Sequence, residues 1–191
     1  MEKTQVFLDY ANINRGANSL GYDLDYGVLL HDHLASLDEG RFLVDAFAYV
    51  PVDPRQEYKN DEEIEALWKA GYLVNSKVGS IARNTYKCNF DIEMTMDIMK
   101  IAHETKPDII VLATGDSDFI PLVKELRKKG IRVEIASFVE NTSKKLAMIA
   151  SGFINLNEYL EFDEEENIDD LHDEDLEEEN EQIDNLQNDE E

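Results

Sequence analysis

Short apolar runs alternate with longer stretches of helical periodicity along most of the chain, a pattern typical of repeated βα units that build a parallel sheet. The apolar runs predict strands over residues 6–8, 42–50, 73–78, 109–113, 133–136 and 153–154. The run at 109–113 is the most apolar, so we expect it at the centre of the sheet. Pro51 and Pro54 are expected to end the second strand.

Apolar residues recur every three or four positions in the segments between these runs. Helices are therefore predicted over residues 25–37, 61–71, 91–103, 119–129 and 143–150. The segment 79–89 is polar and basic and has no period, which predicts a loop. Together these elements predict an α/β fold of three layers, with helices on both sides of a central parallel sheet.

Negative charge is concentrated at the C-terminal end. The chain has 43 Asp and Glu residues against 18 Lys and Arg, and residues 161–191 hold 18 of the acids and no Lys or Arg. The remaining residues carry a net charge of about −7. Burial of so few apolar residues cannot offset the conformational entropy that this segment would lose on folding, and repulsion between its like charges opposes folding further. We therefore predict a folded domain over 1–160 and a disordered acidic tail over 161–191.

Cysteine usage and hydropathy indicate the compartment. Cys88 is the single cysteine, so no internal disulfide can form. The sequence shows no apolar stretch of signal-peptide or membrane-helix length. We expect a cytoplasmic protein that has no membrane partner.

Acidic residues follow two predicted strands. Asp9 comes directly after the first, and Asp116 and Asp118 come after the most apolar one. Asp91 and Asp97 lie on the predicted helix whose N-terminal end should reach the same edge of the sheet, where α/β folds bind ligands. Clustered carboxylates repel one another, and a hard divalent cation such as Mg²⁺ or Mn²⁺ offsets that repulsion. The pattern predicts metal-assisted hydrolysis of nucleic acid.

Helix capping is the alternative interpretation for some of these acids. Asp91 alone could be an N-cap or first-turn acid, and Asp118 could cap the helix that follows it. Asp9 and Asp116 follow apolar strands, where an isolated acid is uncommon, so we assign this pair to a shared functional site.

RNA contacts on an acidic body require local cations. Lys77, Arg83 and Lys87 flank the polar segment, and Tyr86 and Phe90 are interleaved as candidate surfaces for base stacking. The alternative is a solvated loop with Phe90 in the core. A second basic run, over residues 124–132, is interpreted as a solvated helix face.

Three segments, FLDYAN, KCNFDIEMTMD and LATGDSDFIPLVKELRKKGIRVEIAS, together resemble the NYN family of PIN-like nucleases, in particular its LabA-like branch. The resemblance covers roughly residues 4–158. It implies a PIN-like fold with strand order of about 3-2-1-4-5 and a metal-dependent ribonuclease site built from aspartates. The KCNFD segment departs from the family's Lys-Gly-Val-Asp, because it lacks the glycine and is one residue longer.

The resemblance also implies roles for individual residues. The implied catalytic residues are Asp9, Asp91, Asp97, Asp116 and Asp118. Of these, Asp9 and Asp116 are the expected direct metal ligands, and Asp97 or Asp91 is expected to complete the site and position the attacking water. Asn12 is expected on the substrate side, where it would orient Asp9 or donate to a phosphate oxygen, and Thr114 and Ser117 are expected to offer hydroxyls that bond the groups around the metal. Arg83, Lys87 and Tyr86 of the polar segment are expected to bind substrate because of their charge and aromatic character.

The expected function is a ribonuclease that uses Mg²⁺ or Mn²⁺ and has RNA as its partner. A non-catalytic RNA-binding or regulatory module with the same fold stays open, as do a homodimer and a protein partner for the acidic tail. A haloacid-dehalogenase-like phosphatase is disfavoured, because the position of its second aspartate is Ala11. No glycine loop of the nucleotide-binding kind follows any predicted strand.

Overall fold

A computed structural model describes residues 1–35, 40–55, 57–82 and 85–160. The chain divides into two units, Met1–Leu156 and Asn157–Glu191. Residues 157–160 are the described part of the second unit, and they are helical. The predicted disordered tail, 161–191, and Arg83 lie outside the described residues. Within the described ranges, no helix has the length and apolar character needed to cross a membrane.

The described residues of the first unit form eight strands. They are β1 (Glu2–Asp9), β2 (Arg41–Val52), β3 (Leu73–Val78), β4 (Ser80–Ala82), β5 (Thr85–Lys87), β6 (Ile109–Ala113), β7 (Arg132–Ser137) and β8 (Gly152–Asn155). Six of them form a parallel sheet in the order β3-β2-β1-β6-β7-β8, and β4 pairs with β5 as a small antiparallel hairpin. All five residues of β6 are buried, as expected for a strand at the centre of the sheet.

Helices flank the sheet. They are α1 (Tyr10–Leu20), α2 (Tyr26–Val28), which continues into a π-helical segment (Leu29–Leu34), α3 (Glu57–Lys69), α4 (Asp91–Glu104), α5 (Ile120–Lys128) and α6 (Lys144–Ile149). The predicted fold class is confirmed, and the first five strands of the parallel sheet follow the order 3-2-1-4-5. The order differs in detail because β8 extends it beside β7. The prediction of a loop over 79–89 is wrong, because that segment contains the β4–β5 hairpin.

Strand β2 continues through Pro51, contrary to the expectation that this proline ends it. β1 ends at Asp9, which pairs with Tyr49, so Pro51 lies beyond the end of β1. Its one strand neighbour in the described sheet is β3, where it pairs with Lys77. The missing N–H of proline therefore removes no hydrogen bond to β1.

Helix α1 follows β1 directly, and the sequence analysis did not predict it. Its buried residues Tyr10, Ile13 and Ala17 have helical spacing, but asparagines and a glycine interrupt the pattern. The glycine is needed for packing, since a Cβ at Gly16 would lie 2.5 Å from a ring carbon of Phe138. The first turn of α1 lies at the edge of the sheet where the loop after β6 also lies.

A buried ion pair contributes to the fold away from that edge. Glu134 on β7 contacts two arginines, with 2.7 Å from its Oε2 to Nη1 of Arg41 and 2.7 Å from its Oε1 to Nε of Arg132. The side chains of Arg41 and Glu134 are 8% and 4% exposed. Removing one partner of such a pair leaves a charge in a poorly solvated position.

We expect Glu134→Ala to lower the free energy of unfolding by about 3–5 kcal/mol, because Arg41 would stay buried without this carboxylate. Glu125→Ala is the matched control, since Glu125 forms an exposed pair with Lys128 and its loss should cost less than about 1 kcal/mol. Urea denaturation of both variants measures the difference. Equal losses of stability would contradict the role assigned to burial.

Candidate metal centre

Four aspartates lie at the carboxyl edge of the sheet. Asp9 ends β1, Asp91 begins α4, and Asp116 and Asp118 follow β6. One carboxylate oxygen from each of Asp91, Asp116 and Asp118 lies within 4.8 Å of the other two. Asp9 lines the same cleft as Asp91 and Asp116, with a volume of about 140 Å³. We call this the acidic cleft.

Two of these aspartates also cap helical turns. The backbone N–H of Asn12 donates to Oδ1 of Asp9 over 3.2 Å, and the N–H of Asp118 donates to Oδ1 of Asp116 over 2.9 Å. The sequence favoured a shared site over capping for Asp9 and Asp116. In the structure each of them both caps a helical turn and lines the acidic cleft. Asp118, considered there as a cap, has an exposed side chain.

Thr114 connects Asp9 to Asp116. Its hydroxyl donates to Oδ2 of Asp9 over 3.0 Å and accepts from the backbone N–H of Asp116 over 3.3 Å. Thr114 is fully buried. Its burial and its two hydrogen bonds make it a residue that positions the carboxylates. Ser117, the other predicted hydroxyl, is exposed.

Asn12 holds α1 against the loop after β6. Its amide oxygen accepts from the backbone N–H of Gly115 over 2.9 Å. That loop has little freedom, because a Cβ at Gly115 would lie 2.3 Å from the carbonyl oxygen of Asn141. The Gly115 carbonyl also accepts from the N–H of Ser143 over 2.9 Å. The expected contribution of Asn12 to orienting the site therefore has a structural basis in these bonds.

Asn89 fixes Asp91, and the sequence analysis missed this residue. Its amide donates to Oδ2 of Asp91 over 2.7 Å, and its amide oxygen accepts from the Asp91 N–H over 2.6 Å. Burial raises the pKa of Asp91, and the nearby charges of Asp116 and Asp118 raise it further, while the bond from Asn89 acts in the opposite direction. An Asn two residues before a first-turn acid was the available sequence signal.

The structure does not bring Asp97 into this group. Asp97 is six residues after Asp91, which on an α-helix corresponds to about 9 Å along the axis and about 240° around it. Its Oδ2 accepts from the Tyr49 hydroxyl over 3.1 Å, and it lines a separate cleft of about 720 Å³. This placement does not support the expectation that Asp97 binds the same metal as Asp9 and Asp116.

Cations line a groove of about 710 Å³ that adjoins the acidic cleft. Arg15 and Lys87 are both exposed and both line it, and Arg15 also lines the acidic cleft itself. The sequence analysis missed Arg15 because it did not predict α1. Lys77 lines the groove too, but it is engaged by Glu93 and donates to the Asn89 carbonyl over 3.2 Å.

The hairpin forms one wall of this cationic groove. The ring of Tyr86 packs over Gly79, where a Cβ would lie 2.4 Å from a ring carbon of Tyr86. Burial raises the pKa of the Tyr86 hydroxyl. Tyr86 therefore shapes the groove from a half-buried position, which differs from the open stacking surface that the sequence suggested.

Asp9 is the most perturbed acid of the site. The pKa of Asp9 is raised from 3.8 to about 6, mainly by burial and further by the charges of Asp91 and Asp116. Hydrogen bonds from Asn12 and Thr114 act in the opposite direction. A raised carboxyl pKa means that the folded state favours the protonated form. The associated stability is present below pH 4 and is lost as pH rises through about 6.

We expect metal-depleted Asp9→Asn to gain stability relative to the wild type by up to about 3 kcal/mol between pH 4 and pH 7.5, because the amide cannot ionise. Urea denaturation of both proteins at the two pH values measures the change. A difference in stability that stays the same at both pH values would contradict the assignment.

The sequence matches the NYN domain family model over residues 3–157. It is 27% identical over 164 residues to the Low amplitude and bright protein LabA of Synechococcus elongatus, covering 82% of this chain and 85% of LabA. It is 26% identical over 109 residues to the uncharacterized protein MJ0482 of Methanocaldococcus jannaschii, covering 57% of this chain but 42% of that protein's length.

A solved structure shares the fold. The protein of unknown function VPA0982 from Vibrio parahaemolyticus aligns with a TM-score of 0.69 at 23% identity, over 81% of this chain and 93% of that chain. The family model covers most of the sequence, in agreement with the resemblance read from its three motifs. The chain therefore belongs to the NYN domain family.

Proposed function

We propose that this chain is a divalent-metal-dependent ribonuclease. The observation that carries the proposal is that one carboxylate oxygen from each of Asp91, Asp116 and Asp118 lies within 4.8 Å of the others, beside the partly buried Asp9. The NYN domain implies a nuclease-like, RNA-related function, and this convergence supplies the group that such chemistry requires. Hydrolysis of an RNA phosphodiester bond is the reaction that fits both.

The donor set suits Mg²⁺ or Mn²⁺. All four side chains offer carboxylate oxygens, which are the ligands that these hard cations prefer. One ion with metal–oxygen distances of roughly 2.1 Å holds oxygens no more than about 4.2 Å apart, so the three carboxylates, with oxygens within 4.8 Å of one another, would need to close in by roughly half an ångström to share it. When bound, the ion supplies Lewis acidity toward the phosphate and lowers the pKa of a coordinated water.

The protein's own residues then have distinct roles. Thr114, Asn12 and Asn89 hold the carboxylates of Asp9 and Asp91 in place through the hydrogen bonds described above. Asp118 has the exposed carboxylate of the group, so it can accept a hydrogen bond from the attacking water. Asp9, buried and close to two other acids, gains most from a cation.

The cationic groove gives the acidic body a local path for RNA. Arg15 and Lys87 line it next to the acidic cleft, where successive phosphates of a strand could lie while one phosphate reaches the aspartates. Neutralising phosphates with Lys and Arg is the main source of affinity for a single strand. The groove and the acidic cleft together form one candidate substrate track.

The second candidate is an RNA-binding module of the same fold without turnover. One observation favours it: both carboxylate oxygens of Asp9 already accept hydrogen bonds, from Asn12 and Thr114. In that arrangement the acidic cleft would keep its structure while Asp9 contributed little to metal binding.

We expect the full-length protein to cleave labelled single-stranded RNA with Mn²⁺ or Mg²⁺ and not with EDTA. Asp116→Asn should lower the rate by at least about 100-fold, because it removes a central carboxylate. Asp45→Asn is the control, since Asp45 is an exposed acid on β2. Metal-independent cleavage, or equal rates in the two variants, would contradict the nuclease; binding without cleavage would favour the second candidate.

We expect Arg15→Gln and Lys87→Gln each to reduce the slope of log affinity against log salt by about 0.7 for single-stranded RNA, because each removes one phosphate contact. Fluorescence anisotropy in EDTA measures binding without cleavage. Lys124→Gln is the control, because Lys124 is an exposed cation of α5. If Lys124→Gln reduces the slope as much as the groove variants, the groove is not the RNA path.

A further inference from the structure

A second cleft opens beside the acidic one, between α4 and the edge strand β3. Tyr49 and Phe90 line both clefts, and their rings meet edge to face with centroids 5.6 Å apart. The two rings therefore form the wall that the clefts share. A strand with one phosphate at the aspartates has its neighbouring nucleoside next to this wall, which places a base within reach of the second cleft.

The lining of this second cleft combines apolar surface with polar groups. Met96 contributes an apolar side chain that is 66% exposed, and Phe90 contributes an aromatic ring. Asn75 contributes an amide from the face of the sheet that also carries Tyr49, since the two residues are paired across β2 and β3. Ser76 lines the cleft as part of the edge strand, but its side chain alternates to the opposite face of the sheet. Apolar walls with a few convergent polar groups are the usual surroundings of a bound heteroaromatic base.

Asp97 is the charged acceptor of this cleft that no described cation neutralises directly. Glu93, the other acid in the lining, is paired with Lys77, whose Nζ also lies 5.5 Å from the centroid of the Phe90 ring. The Tyr49 hydroxyl donates to Oδ2 of Asp97 and so fixes the orientation of the carboxylate. A carboxylate offers about four acceptor positions, so Asp97 can accept further N–H groups.

We propose that this cleft binds the base next to the scissile phosphate and that Asp97 selects guanine. Guanine presents two adjacent donors, N1–H and N2–H, that match the two oxygens of a carboxylate. Uracil presents one N–H between two carbonyl acceptors, and adenine and cytosine present one amino group beside an acceptor ring nitrogen. The Asn75 amide, on the Tyr49 face of the sheet, is placed to bond the rest of the guanine edge. The inference rests on the proposed nuclease function.

The test is the sequence preference of cleavage. The full-length wild type, Asp97→Asn and the control Glu104→Gln, an exposed acid at the end of the same helix, are each incubated with a randomised single-stranded RNA library and Mn²⁺. We expect the wild type and the control to favour guanosine at one position beside the cut by roughly 10- to 100-fold. Asp97→Asn should lose that preference, so that its cleavage beside guanosine falls to the level seen at other sites. Its amide oxygen can still accept from Tyr49.

Two results would overturn the inference. An unchanged guanosine preference in Asp97→Asn would show that another group reads the base. Loss of cleavage at every site, with stability to urea unchanged, would place Asp97 in catalysis or metal binding. If the wild type cleaves no RNA, the base site is tested by binding alone: fluorescence anisotropy compares the affinities for a guanosine-containing and a uridine-only hexamer. A guanosine preference that Asp97→Asn removes would sustain the base site without the nuclease, and equal affinities would refute it.

Discussion

Mutual repulsion among carboxylates at one edge of the parallel sheet is the constraint that the surrounding structure accommodates. Ionisation is costly for Asp9, because burial, and to a smaller extent the charges of Asp91 and Asp116, raise its pKa to about 6. Hydrogen bonds from Thr114 and Asn12 favour the ionised form but do not cancel the increase. A divalent cation removes the repulsion at its source, so the same arrangement that is costly without metal is suited to holding one.

The acids are fixed in position before any ligand binds. Asp9 and Asp116 accept hydrogen bonds from backbone N–H groups, and Asp91 accepts one from the side-chain amide of Asn89. The loop after β6 is confined by the close approach of Gly115 to Asn141. A site held in this way loses little conformational freedom on binding a metal. Function thus depends on the parallel topology, which brings the ends of β1 and β6 side by side.

Much of the fold followed from local pattern, because strands with strongly apolar runs, such as Ile109–Ala113, have one stable place in an α/β sheet. Helix α1 could not be predicted in this way. Its sequence contains asparagines and Gly16, which are poor helix formers, and Gly16 is required by its close packing against Phe138. The three-residue strands of the hairpin are too short to show a period. The resemblance to the family motif grouped Asp97 with the other acids. Because Asp97 lies six residues after Asp91 on α4, its side chain lines a different cleft. Arg15 and Asn89 could be recognised only after their elements were placed.

The location of a bound metal tests this account most directly. Crystals of the protein soaked in Mn²⁺ and measured at the manganese absorption edge would reveal the ion by its anomalous scattering. We predict one strong peak within roughly 2.3 Å of carboxylate oxygens of Asp91 and Asp116, with Asp118 or Asp9 in the same coordination sphere. No peak at the acidic cleft in ordered crystals, or a peak coordinated by Asp97 instead, would contradict it.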